Sequence, residues 1–178
     1  MRMNRTFPVK TACPGLETLT VATNMSDSAS VAFLFQQINI EFDYAEILIN
    51  NTGVNPGGGG IHEESPLSTV YSRLSHKQQK VNTLRSCLLL ESFINSLPDP
   101  TSTPATVVPI TAGAAWGTFP TISSQANSKL AALQFNTHVA AADQNITAIS
   151  LHPGLKGTDM LMDVFGHFSL DPPVQNRK

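Results

Sequence analysis

The sequence predicts an α/β domain built on a mainly parallel sheet. Three observations carry this expectation. Short apolar, β-branched runs recur along the chain: Leu19–Thr23 (LTVAT), Ala45–Asn50 (AEILIN), Ala105–Thr111 (ATVVPIT) and Ile146–Leu151 (ITAISL). Segments of helical length, with apolar residues at helical spacing, lie between them. The 178 residues, 41% of them hydrophobic, suffice for one domain with a sizeable core. Strands separated by helices of this length favour parallel pairing.

Each element has its own signal. After Leu19–Thr23, the residues Asn24-Met25-Ser26-Asp27 supply cap-type side chains, and Val31, Leu34, Phe35, Ile38 and Phe42 form one apolar helical face. Ala45–Asn50 is short, apolar and bounded by polar residues, as a buried strand is. The run NNTGVNPGGGG reads as a loop needing unusual backbone angles at several glycines. Pro66 sits where a helix can start. Residues Leu67 to Leu97 look helical, with a break near the polar run His76–Lys80. PDPTSTP at 98–104 is a proline-rich turn. Ala105–Thr111 is a third strand, with Pro109 as an anomaly because a proline in a central strand removes a ladder donor. Ser124–Ala142 forms the next helix, and Ile146–Leu151 the last strand, ending in His152-Pro153-Gly154. The tail from Met160 to Lys178 is partly apolar, then proline-containing. No internal repeat or linker is visible.

Composition narrows the function. A net charge of −2 and 13% charged residues give no electrostatic footprint for nucleic acid or an anionic membrane. No apolar run approaches the roughly 20 residues that span a bilayer, and the N-terminus lacks an apolar stretch of signal-peptide length. The two cysteines, Cys13 and Cys87, imply neither a disulfide framework nor a metal site. Asn-x-Ser/Thr triplets at Asn4, Asn24, Asn50 and Asn145 read as chance matches, and a cytoplasmic, reducing location is the expectation. In open α/β sheets ligands sit beyond the carboxyl ends of the strands. That rule selects the loops after Asn50, Thr111 and Leu151.

Those loops carry a resemblance. Ile49-Asn50-Asn51-Thr52-Gly53, Val81-Asn82, the serine-rich turn before Lys129, and Pro153-Gly154 with Thr158 follow one another as in the short-chain dehydrogenases/reductases, over about residues 17–173. Each match is weak alone; their order and spacing together are specific. The resemblance implies a Rossmann-like three-layer domain with a mainly parallel sheet. Here it is incomplete at the N-terminal end, where the first βαβ unit falls, and at the C-terminal end. It divides the chain into an irregular segment 1–16, a partial family domain 17–173 and a tail 174–178. No G-x-x-x-G-x-G pattern occurs before residue 50, and Leu19–Thr23 matches the family's third strand. The strand Ala45–Asn50 is then left with an open edge, to be filled by Leu19–Thr23 or by dimerisation.

The departures fall on the chemistry. The family's catalytic tyrosine, opening a Tyr-x-x-x-Lys pattern, falls on Gln125. Its catalytic serine falls on Ala112. Lys129 and Asn82 keep the family residue types. The resemblance assigns proton transfer to the tyrosine, pKa control and ribose binding to the lysine, and a water relay to the asparagine. A glutamine amide has no proton titrating near neutral pH, and alanine donates no hydrogen bond. Thr111 points to the opposite face from Ala112 by strand alternation, and Ser123 or Ser124 lacks a base of its own. The resemblance further implies cofactor contacts at Asn51, Gly53, Lys129, Pro153, Gly154 and Thr158, and a substrate pocket near Gly57, Gly58 and His152. His152, Lys156 and Asp159 cluster at the expected pocket mouth, whereas His62, Glu63 and Glu64 read as solvated. Lys129 reads equally well as a ribose ligand or as an exposed helix lysine, and Asn82 as a helix-break residue with a satisfied amide. The expectation is a family member with little or no hydride transfer, a pseudoenzyme or binding subunit. No cofactor, or only weakly bound NADP(H) or NAD(H), is expected. A small-molecule ligand and a homodimeric or heteromeric partner are further expectations, with no nucleic acid and no membrane. Two alternatives stay open: a working NAD(P)-dependent oxidoreductase acting on a carbonyl or alcohol, and a cofactor-independent isomerase or cyclase reusing the pocket.

Overall fold

A computed structural model describes residues 13, 15–54, 79–117, 123–142 and 144–154. The first helix, α1, covers Ser28–Phe42. Asp27 caps it in extended backbone: its Oδ1 accepts a hydrogen bond from the Ala29 N–H at 3.2 Å. The Asn24 N–H donates to the Ser30 hydroxyl at 2.9 Å, so the entry turn is fixed from both sides. The helix stops at Asp43, whose φ of 64° leaves the right-handed region.

Strand β1 (Ile47–Asn50) follows. The next described segment is a π-helical stretch, Gln79–Leu84, continuing into α2 (Arg85–Asn95). Of the expected break near His76–Lys80, residues 76–78 lie outside the described residues, and from Gln79 the chain is π-helical as far as Leu84. Residues 98–104 turn into β2 (Ala105–Pro109), a short 3₁₀ turn spans Gly113–Ala115, α3 covers Ser123–Ala142, and β3 covers Ile146–Ala148. The three strands form a parallel sheet in the order β1-β2-β3.

Pro109 explains why β3 is short. Thr106 and Ile110 donate toward β1, to Glu46 O and Asn50 O, while Ala105 and Thr111 donate toward β3, to Asn145 O and Leu151 O. Alternation therefore puts the donor that Pro109 lacks on the β3 side. Regular pairing on that side ends at Val107↔Ala148 and resumes only at the bridge Ile110↔Leu151. The ladder survives because the Pro109 carbonyl still accepts from the Leu151 N–H at 3.0 Å.

The expected strand at Leu19–Thr23 does not form; that stretch is irregular and largely exposed. A strand exists only with a partner, and β1 pairs on one side alone among the described residues. The β1 edge is therefore not filled by Leu19–Thr23.

Leu48, Ala105, Val107 and Ile146 face the core, where Val31 and Phe35 of α1 meet Leu89, Leu90 and Phe93 of α2, with Leu97 just beyond it. The Asn39 amide of α1 donates to Ser96 O at 3.0 Å, locking the ends of the two helices together. The opposite face of the sheet carries Ile47, Ile49, Ile149 and Leu151, at 60%, 64%, 52% and 47% exposure, with no covering layer among the described residues. Parallel sheets are ordinarily covered on both faces. No helix among the described residues is long and apolar enough to cross a membrane.

Phe93 is fully buried, with its ring centroid 6.1 Å from that of Phe35. Phe93→Ala is expected to lower unfolding free energy by about 3–5 kcal/mol, read as a shift of the urea midpoint at unchanged slope.

Candidate functional site

The carboxyl ends of β1 and β2 meet the π-helical segment and the start of α3, and Asn82 ties them together. Its side chain is 2% exposed. Oδ1 accepts from the Val54 N–H at 2.8 Å, while Nδ2 donates to Val54 O at 3.0 Å and to Ser128 Oγ at 3.1 Å. The amide thus mimics a strand partner for the loop after β1. Ser128, itself fully buried, donates to Gln125 O at 2.9 Å, and the Thr83 hydroxyl donates to Ser128 O at 3.1 Å. The first turn of α3 is therefore held from within and from the π-helical segment. Among the described residues, the Asn82 carboxamide spends its donors and acceptor on protein.

Lys129 follows Ser128 on α3 and reaches the end of β2, where its Nζ donates to Ile110 O at 2.8 Å. Burial pushes this amine below its ordinary value of 10.5. Sequence reasoning treated Lys129 as a ribose ligand or a solvated lysine. The structure makes it neither freely solvated nor ion-paired among the described residues. A methyl group on Gly53 would stand 3.6 Å from both Asn82 Oδ1 and Lys129 Nζ, so Gly53, Asn82 and Lys129 converge on one spot.

The two departing positions lie beside this spot. Ala112 has extended backbone and precedes the 3₁₀ turn. Gln125 lies in the first turn of α3, four residues before Lys129 and on the same helix face. Their hydroxyl neighbours offer no replacement. Thr111 Oγ1 and Ser124 Oγ are buried from solvent, and each lacks a hydrogen-bond partner among the described residues. Cys87, on α2, has a thiol raised by burial, which keeps it in its unreactive form.

The turn at the end of β1 is made by Asn50, next to the expected cofactor contact Asn51. Asn50 is 6% exposed, and its Oδ1 accepts from the Thr52 N–H at 3.3 Å. Asn51 is exposed and takes no such bond among the described residues. His152 lies over Gly113: a methyl there would meet its Nε2 at 3.3 Å, and its ring stands 6.3 Å from that of Trp116. His152 thus borders the Ala112 side of the site, and no hydrogen bond joins it to Gln125 or Lys129 among the described residues. Gly154 has a φ of 76°, a conformation that requires glycine after Pro153. Gly57, Gly58, Thr158, Lys156 and Asp159 lie outside the described residues. No group of three or more His, Cys, Asp or Glu side chains among the described residues is placed to hold a metal. Ser128 and Trp116 were not singled out from sequence. Only Ser128 had a signal there: a small polar residue three positions after Gln125, on the buried side of the helix.

A parallel sheet with a lysine-bearing helix closing its carboxyl edge defines a Rossmann-like α/β protein. The short chain dehydrogenase family model matches residues 7–167, and the chain belongs to that family. Among solved structures, levodione reductase is similar at 20% identity with a TM-score of 0.75, covering 87% of this chain and 58% of that one. A short-chain dehydrogenase/reductase from Burkholderia xenovorans follows at 18% identity and TM-score 0.69, covering 83% of this chain and 60% of that one. Another from Serratia marcescens has 21% identity and TM-score 0.68, covering 86% and 59%. The chain thus spans about three fifths of the length of these structures, and at such identities the likeness shows the fold. No curated protein sequence matches.

Two outcomes are expected. Asn82→Ala strands the Val54 N–H and should cost about 1–3 kcal/mol in urea unfolding. Lys129 holds its proton less tightly folded than unfolded, so between its lowered folded pKa and 10.5 the unfolded state binds more protons, and stability rises with pH in that window. The stability of the wild type relative to Lys129→Met should therefore increase from neutral pH to about pH 10, in urea melts run at successive pH.

Proposed function

We propose that this chain is a short-chain dehydrogenase family protein with little or no hydride transfer, serving as a binding protein or partner subunit. The observation that supports it is the pairing of Gln125 and Ala112 beside Lys129, with the adjacent Thr111 and Ser124 hydroxyls sealed from solvent. Proton transfer to a carbonyl oxygen needs a titratable group at hydrogen-bond reach, and a glutamine amide supplies none. The missing hydrogen-bond donor at Ala112 removes stabilisation of the developing oxyanion as well.

A nicotinamide cofactor, if held, would meet Lys129 and the backbones at Gly53 and Pro153-Gly154. Lys129 already spends one of its three N–H donors on Ile110 O, which favours weak NADP(H) or NAD(H) binding or none. The exposed Ile47 and Ile49 side chains and the outer edge of β1 suit contact with another protein surface, a second copy or a heteromeric partner.

The test is reduction of a panel of small aldehydes and ketones with NADPH and NADH. The chain should show no turnover above the uncatalysed rate. If cofactor binds at all, Gln125→Tyr with Ala112→Ser should raise the rate by about 10²–10⁴-fold. Turnover by the unaltered chain at the rates ordinary for dehydrogenases would overturn the reading.

A further inference from the structure

The amine of Lys129 is a nucleophile that nothing in the loss of hydride transfer uses. Lysine side chains become nucleophilic when they lose their proton in a desolvated setting. Lys129 has that setting. Its Nζ is fixed by one 2.8 Å hydrogen bond to a neutral acceptor, the Ile110 carbonyl, and by no carboxylate among the described residues.

Among the described residues, the elements packed around it bring little charge. β2, the 3₁₀ turn and the stretch 51–54 carry no ionisable side chain; the π-helical segment brings only Lys80; and α3 itself adds only His138, more than two turns away. Burial favours the neutral amine, and the direction of its pKa agrees. Gly53 places no side chain against Nζ on the loop side, and the lysine remains partly exposed. The neighbouring Asn82 amide is already satisfied by Val54 and Ser128, so it leaves the amine free.

We propose that Lys129 captures compact aldehydes or ketones covalently, its amine condensing with the carbonyl carbon at the carboxyl edge of the sheet to form an imine. The neutral amine adds to the carbonyl carbon, the carbonyl oxygen takes a proton to give a carbinolamine, and that hydroxyl leaves as water while the C=N bond forms. One water is released per imine, both of its hydrogens coming from the amine, and no oxidant or reductant takes part. The proposal rests on the reading that Lys129 is no longer coupled to a catalytic tyrosine.

The experiment treats the folded wild-type chain at neutral pH with benzaldehyde and sodium cyanoborohydride, which reduces imines to stable secondary amines, and maps the adducts by peptide mass. Lys129 should be labelled several-fold faster than any other lysine of the chain. In urea that preference should vanish. Labelling of Lys129 no faster than Lys80 in the folded chain would overturn the proposal, as would a preference that persists in urea. Because the comparison is within one wild-type chain, it does not depend on a variant folding. Lys129→Met, if folded, should lose the fast adduct; a fast adduct retained in that variant would count against the assignment. Benzyl alcohol formed with NADPH and no cyanoborohydride would contradict the loss of hydride transfer. The adduct map decides the imine separately.

Discussion

The described structure turns on one buried carboxamide. Asn82 lies in a π-helical stretch, a geometry that interrupts ordinary helix bonding and often marks a functional position. Its amide closes a two-way hydrogen-bond exchange with Val54 and a third bond to Ser128. Unpaired at this burial, the same amide would be costly; fully paired, it fixes the loop after β1 against the first turn of α3. That contact sets where Lys129 emerges, and hence why its amine meets Ile110 O rather than bulk water. The core of Val31, Phe35, Leu89 and Phe93 supports the joint from one face of the sheet.

From that joint the chemistry of the site follows by subtraction. A family whose reaction needs an acid and a hydrogen-bond donor is represented here by Gln125 and Ala112. The hydroxyls next to them, Thr111 and Ser124, are sealed inside the fold. What remains is a desolvated lysine, a saturated amide and a histidine set over Gly113. On the reading proposed above, these groups hold or capture a carbonyl compound, and position 125 no longer supplies the acid that the family's reduction uses.

Much of the fold was legible because local chemistry dictated it. Asp27 is placed to cap, and it caps; the apolar face through Val31 and Phe35 is a core face. The apolar runs at 47–50, 105–109 and 146–148 are strands in parallel register. Leu19–Thr23 misled because β-propensity says only that a segment fits a sheet, not that a partner strand stands beside it. Pro109 was legible as an anomaly, but its consequence, the interrupted pairing with β3, required knowing which side its absent donor faces. At the site, the convergence of Gly53, Asn82 and Lys129 joins residues 76 positions apart, as the spacing of 53 and 129 shows. No local pattern reveals that distance or the burial that comes with it. That Asn50 rather than its neighbour makes the turn is a matter of strand phase at the last residue, where sequence reading is weakest.

On the proposed function, the Asn82–Lys129 site does not serve a nicotinamide cofactor for hydride transfer. The most direct test is a calorimetric titration of the folded chain with NADPH and with NADH. No saturable heat is expected below millimolar cofactor. Micromolar binding, lost on Lys129→Met while the fold is kept, would contradict it and restore the cofactor site to the centre of the protein's function.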